Sequence, residues 1–120
     1  MQGEPVDVSN LLALRELQRP GRPDAVGRIV SRFLEEADER VAALHAGVAG
    51  NDAQTLERAA HALKGIAGTV GANEVMRLSE QLELIGRDQR TDGAADLVVE
   101  LERALGHART IYEALRDQAP

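Results

Sequence analysis

The sequence predicts an all-α fold, an antiparallel four-helix bundle with a short additional N-terminal helix. Three observations predict it. Apolar residues recur at steps of three and four through most of the chain, the period of an amphipathic helix. The composition is rich in Ala, Leu, Glu and Arg, which favour helix, and no β-branched run bounded by turn residues reads as a strand. Short clusters of Gly, Pro, Asn and Asp cut the pattern into segments, and short connections make successive helices antiparallel neighbours. At 120 residues the chain reads as a single domain, residues 1–120.

Residues 1–7 are expected to be disordered. A first helix runs from about Ser9 to Gln18, with Asp7 or Ser9 as its cap and Leu11, Leu12, Leu14 and Leu17 as its apolar residues. Pro20-Gly21-Arg22-Pro23 breaks it. Pro23 suits the first position of a second helix and Asp24 its first turn. That helix reaches about Val48, with Val26, Ile29, Val30, Phe33, Ala37, Val41, Leu44 and Val48 inward, and Gly47 or Gly50 ends it. Asn51-Asp52 offers the cap of a third helix, which turns Leu56, Ala59, Leu63, Ile66 and Val70 inward and ends near Gly71. A fourth helix spans about Asn73 to Ile85, buries Val75, Leu78, Leu82 and Ile85, and is closed by Gly86. Thr91 or Asp92 caps a fifth, which runs to about Arg116 with Leu97, Leu101, Leu105, Ala108, Ile111 and Leu115 inward.

Composition narrows the function. Hydrophobic residues make up 43% of the chain but aromatic ones 2%, Phe33 and Tyr112, so the core is aliphatic and suits close helix packing. The net charge of −6 argues against nucleic acid, whose binding rests on Lys and Arg. The absence of cysteine excludes disulfides, thiol catalysis and cysteine-ligated zinc, and fits a reducing compartment. The opening residues, MQGEPVDV, have neither the basic start nor the apolar stretch of a signal peptide, and no apolar run is long enough for a membrane span. A cytoplasmic location is therefore expected.

The third helix holds the candidate site. On its wheel His61 lies opposite Leu63, Ile66 and Val70, and shares its face with Arg58, Lys64, Gly65 and Gly68. A glycine inside a helix costs about 0.8–1.0 kcal/mol relative to alanine. Two of them beside one imidazole point to a partner that approaches the bare backbone. Near neutral pH a histidine populates its neutral, nucleophilic form, and a lysine beside it disfavours the charged one. Lys64 is also placed to offset the charge of a phosphoryl group on the ring. Glu57 and Arg58 flank the site as ordinary solvated charges.

The residues His61-Ala62-Leu63-Lys64-Gly65, followed by Gly71 and Ala72, resemble the H-x-L-K-G signature of histidine-containing phosphotransfer (HPt) domains. The likeness extends over FLEEADERVAALHAGVAGNDAQTLERAAHALKG and, in length and pattern, over the last two helices. Ile66 departs from the small or polar residue common in that family, but on the buried side. The resemblance implies a four-helix bundle whose second helix carries a phosphorylated histidine. It implies His61 as phosphoacceptor reacting through Nε2, beside the charge stabiliser Lys64 and the access points Gly65 and Gly68 that the helix wheel gives. It further implies response-regulator receiver domains as partners, with a hybrid sensor histidine kinase as another. No cofactor is expected in this chain, because Mg²⁺ belongs to the receiver, and no activity of its own as a kinase. A monomer is expected from the solvated outer faces.

Two other readings stay open at this level: the phosphoacceptor domain of a chemotaxis-type kinase, and a helical adaptor that carries no phosphate. His45 and His107 lack the Lys-Gly pattern and read as structural or surface residues. No Glu-x-x-His pair supports a di-metal bundle, so no metal site is assigned. Neither a P-loop nor a nucleophile-elbow motif is present, so nothing marks a nucleotide site or a hydrolase.

Overall fold

The computed structural model describes residues 4–22 and 24–118. Among them, five helices and no strand make up the regular structure: α1 Ser9–Leu17, α2 Ala25–Ala49, α3 Ala53–Val70, α4 Asn73–Arg87 and α5 Ala94–Asp117. α3 packs against α2 on one flank and α4 on the other, and α5 packs against the same two helices. α1 lies on α2. The core is aliphatic as composition requires, with Leu44, Leu56, Leu63, Leu78, Leu82 and Leu101 fully enclosed.

The helix ends show where local chemistry decides. Asp24 is the N-cap of α2, accepting from the Gly27 N–H, rather than a first-turn residue. Pro23, expected at the first helical position, lies outside the described residues. Gly50 rather than Gly47 ends α2. Asp52 caps α3 through the Thr55 N–H at 3.1 Å and the Thr55 hydroxyl at 2.6 Å, and these bonds hold its carboxyl below the usual range. Asp7 accepts from both the N–H and the hydroxyl of Ser9, although the N-cap position of α1 is Val8. α5 starts after Gly93, whose φ of 79° sets the turn, and not from a Thr91 or Asp92 side-chain cap.

Three further expectations are corrected. Residues Glu4–Asp7 are not loose: Val6 is buried, the Asp7 N–H donates to the Gly71 carbonyl at 2.8 Å, and the Pro5 carbonyl accepts from the Glu74 N–H at 3.0 Å. Those partners at the α3–α4 junction are helix-end groups without an intrahelical bond, and the N-terminal segment supplies it. Gly71 sits there at φ 78°, where a side chain would also run into the Asp7 carbonyl. Met1–Gly3 of the segment expected to be disordered lie outside the described residues. The second correction is Gly86, which is buried inside α4 rather than ending it; α4 continues to Arg87. A Cβ at Gly86 would lie 2.7 Å from the Ala53 carbonyl oxygen and 2.8 Å from the Glu57 nitrogen, so the missing side chain lets α4 lie on α3.

The third correction turns α5. Val98 and Tyr112 are buried, while Leu97 and Ile111, expected inward, are only half-buried. Tyr112 explains the rotation. Its hydroxyl donates to the Val70 carbonyl, an unpartnered group at the end of α3, at 2.6 Å, and its ring meets Phe33 edge-on at 5.5 Å. Burial, and secondarily the charge of Asp7, push the Tyr112 hydroxyl well above the ordinary tyrosine range. A folded-state value above the unfolded one contributes stability below about pH 10, lost as pH rises beyond that. Tyr112 is the chain's one tyrosine. The expected alkaline titration therefore shows tyrosinate absorbance rising together with loss of the helical circular dichroism. Tyrosinate forming near pH 10 with the helices intact would contradict the buried hydroxyl.

Candidate functional site

α3 buries Leu56, Ala59, Ala60, Leu63, Ala67 and Val70, and this stripe orients everything on its outer face. His61 projects from that face with 70% of its side chain exposed. Gly65, one turn on, is also exposed, and a Cβ built there meets no atom within 4 Å. Bare backbone thus lies open beside the imidazole.

The ring is not free on both sides. His61 Nδ1 lies 2.7 Å from Glu83 Oε2 on α4. The Glu83 side chain is 3% exposed, and it gathers two cations as well: Lys64 Nζ at 2.6 Å from Oε1 and Arg87 Nη2 at 3.0 Å from Oε2. Arg87 Nε also stands 3.6 Å from Glu57 Oε2, back on α3. A carboxylate this buried needs such company. Burial pushes its carboxyl up, but the bonds from Lys64 and His61 outweigh that and hold it below the usual range.

This geometry assigns the tautomer. An ionised carboxylate only accepts hydrogen bonds, so Nδ1 carries the proton it shares with Glu83. In the neutral ring Nε2 then keeps the lone pair, on a side chain that is largely exposed. The arrangement supplies a nucleophilic nitrogen on a ring fixed from behind. Glu83 would also face the positive charge that the ring would acquire if Nε2 formed a bond.

Lys64 and Gly65 thus share the His61 face as expected. Lys64 is not a loose cation beside the ring, however, but is drawn onto Glu83. Gly68 is exposed on the same face, yet it also serves packing: a Cβ there would lie 3.3 Å from Met76 Sδ on α4. Glu57 pairs with Arg87, and Arg58 is exposed. His45 is a surface residue bound to Glu102 at 2.8 Å, and His107 is exposed on α5. Glu83 went unread in the sequence. Its signal was a charge between Ser79, Leu82 and Gly86 on the buried arc of α4, a position that needs a cation from a neighbouring helix.

Residues 28–117 match the Hpt domain family. This chain belongs to the Hpt domain family. It is a histidine phosphotransfer domain of two-component signalling, and Hpt domains interact with receiver domains and kinases in phosphorelays. The fold is similar to that of histidine-containing phosphotransfer protein B from Pseudomonas aeruginosa PAO1, with a TM-score of 0.87 and 25% identity. The alignment covers 99% of this chain and 100% of that one. No curated protein matches the chain significantly. Among the described residues, no helix of this Hpt domain is long and apolar enough to cross a membrane.

Proposed function

We propose that His61 is the phosphoacceptor of this Hpt domain and that it shuttles the group reversibly between receiver-domain aspartates. The observation that carries the reading is the His61–Glu83 contact at 2.7 Å, which leaves Nε2 as the free nitrogen. In this reading α2 to α5 form an antiparallel four-helix bundle, supported by their short connections and mutual packing. The receiver's phosphoaspartate approaches over Gly65 and Gly68. Nε2 attacks phosphorus in line, the acyl oxygen–phosphorus bond breaks, and its electron pair returns to the aspartate. Nδ1 keeps its proton throughout. Lys64 offsets charge on the transferring oxygens. The Mg²⁺ stays with the receiver, and this chain supplies a nucleophile without kinase activity of its own. The domain acts as a monomer in the cytoplasm.

Beyond Gly65, on the α2 side, Thr69, Ile66, Ile29 and Phe33 line a groove of about 200 Å³. It gives the receiver an apolar foothold next to the bare backbone. Two substitutions at Gly65 separate access from stability. Gly65→Ala fills open space and stabilises the domain by about 0.8–1.0 kcal/mol. Gly65→Gln, reaching over the imidazole, slows transfer by about tenfold or more, because small misplacements at a reacting centre are expensive in rate. Time courses of phosphate transfer check this, and a rate unchanged by Gln removes the access argument.

The function itself is tested by incubating the domain with a phosphorylated receiver and Mg²⁺. The expected result is acid-labile phosphate on the Hpt domain, returned when unphosphorylated receiver is added. Labelling by an ATP-dependent kinase domain but by no receiver would instead favour the chemotaxis-type reading. Labelling by neither would favour an adaptor.

A further inference from the structure

Glu83 has more partners than a histidine-orienting carboxylate requires, and the extra one is Arg87. Resting on the reading of His61 as phosphoacceptor, we propose that Arg87 is a positioning residue. It keeps Glu83 compensated so that Lys64 can leave it for the phosphoryl group.

The need follows from the resting geometry. Lys64 Nζ sits 2.6 Å from Glu83 Oε1, so its charge is directed inward, away from the incoming phosphoryl group. In this proposal it lets go of Glu83 to reach oxygens on Nε2. Removing one partner from a buried ion pair is strongly unfavourable, since the remaining charge is left uncompensated. A second cation on the same carboxylate removes that obstacle. Arg87 Nη2 is 3.0 Å from Glu83 Oε2, the oxygen that also accepts from His61 Nδ1.

Arg87 is also suited to stay behind. It stands one turn after Glu83 on α4, and its Nε side faces Glu57 on α3 at 3.6 Å. The guanidinium is thus anchored to both helices that form the site. The donors of an arginine are fixed in a fork. Lys64 has the opposite character, a compact charge on a flexible stem, three residues from His61 and 30% exposed. One cation holds and the other moves. As Nε2 bonds to phosphorus and the acyl oxygen departs with its electron pair, the ring becomes positive. Arg87 keeps Glu83 compensated while Lys64 turns to the phosphoryl oxygens.

The test is the equilibrium of transfer between a phosphorylated receiver and the Hpt domain, measured with Mg²⁺ in wild type, Arg87→Met, Arg87→Lys, Lys64→Met and the double variant Lys64→Met/Arg87→Met. Arg87→Met is expected to lower the phosphorylated Hpt fraction relative to receiver by about tenfold, the worth of one hydrogen bond to a charged group. Arg87→Lys restores most of it. In the Lys64→Met background, where no lysine has to be released, Arg87→Met has less than about a twofold effect. An unchanged equilibrium in Arg87→Met, or an equal drop in both backgrounds, overturns the proposal and leaves His61 as acceptor untouched. A wild-type domain that takes no phosphate overturns both.

Discussion

Replacing His61 with glutamine is expected to abolish phosphoryl uptake and leave the fold in place. Glutamine has no nucleophilic nitrogen, so the loss is complete rather than partial. The fold survives for reasons visible around the ring. The imidazole is largely exposed and contributes one hydrogen bond, to Glu83. Lys64 and Arg87 still hold that carboxylate after the substitution, and a glutamine amide can donate to it. Glutamine is also the better helix former. The melting free energy is expected to stay within about 1 kcal/mol of wild type. Radiolabel transfer and thermal unfolding check the two halves. Retained phosphate in His61→Gln would place the acceptor elsewhere.

Gly86→Ala is expected to destabilise the domain, against the usual effect of this change in a helix. Alanine gains about 0.8–1.0 kcal/mol of helix propensity. At Gly86, however, the new methyl would sit 2.7 Å from the Ala53 carbonyl oxygen, 2.8 Å from the Glu57 nitrogen and 2.9 Å from Glu57 Cβ. Two of these are backbone atoms of α3 and cannot rotate away, so α4 must retreat. Overpacking of this kind costs about 1–3 kcal/mol, which outweighs the propensity gain over most of that range. Gly86→Val, bulkier and β-branched, is expected to lose more. The consequence reaches the site, because Glu83 lies one turn before Gly86 and moves with α4. Slower transfer should therefore accompany the lower melting temperature. The contrast with Gly65→Ala, which meets no atom within 4 Å and stabilises, separates a packing glycine from an access glycine. A Gly86→Ala domain as stable as wild type would contradict the close crossing of α3 and α4.

Much of this was legible in the sequence because it depends on local periodicity. The stripe Leu56, Ala59, Leu63 and Val70 predicts the buried face of α3, hence the outward direction of His61. Asp52 and Gly71 announce its ends. What was missed depends on which helix meets which. Gly86 reads as a terminator until Ala53 and Glu57 are found against it. The α5 stripe fits two adjacent registers, and the Val70 carbonyl selects the one that buries Tyr112. Glu4–Asp7 carry no periodic signal, and their order comes from helix-end groups more than sixty residues away. Glu83 belongs to the same class. Its charge on a buried arc was readable, but its three partners come from two helices.

The most direct test of the site is heteronuclear magnetic resonance on the domain with ¹⁵N-labelled histidine, before and after phosphorylation. Before, Nδ1 of His61 is expected to carry the proton and Nε2 to be bare. After, phosphorus is expected to couple to Nε2 of His61, with the Nδ1 proton still present. Coupling to Nδ1, or to a nitrogen of His45 or His107, would contradict the assignment of His61 Nε2 as the nucleophile.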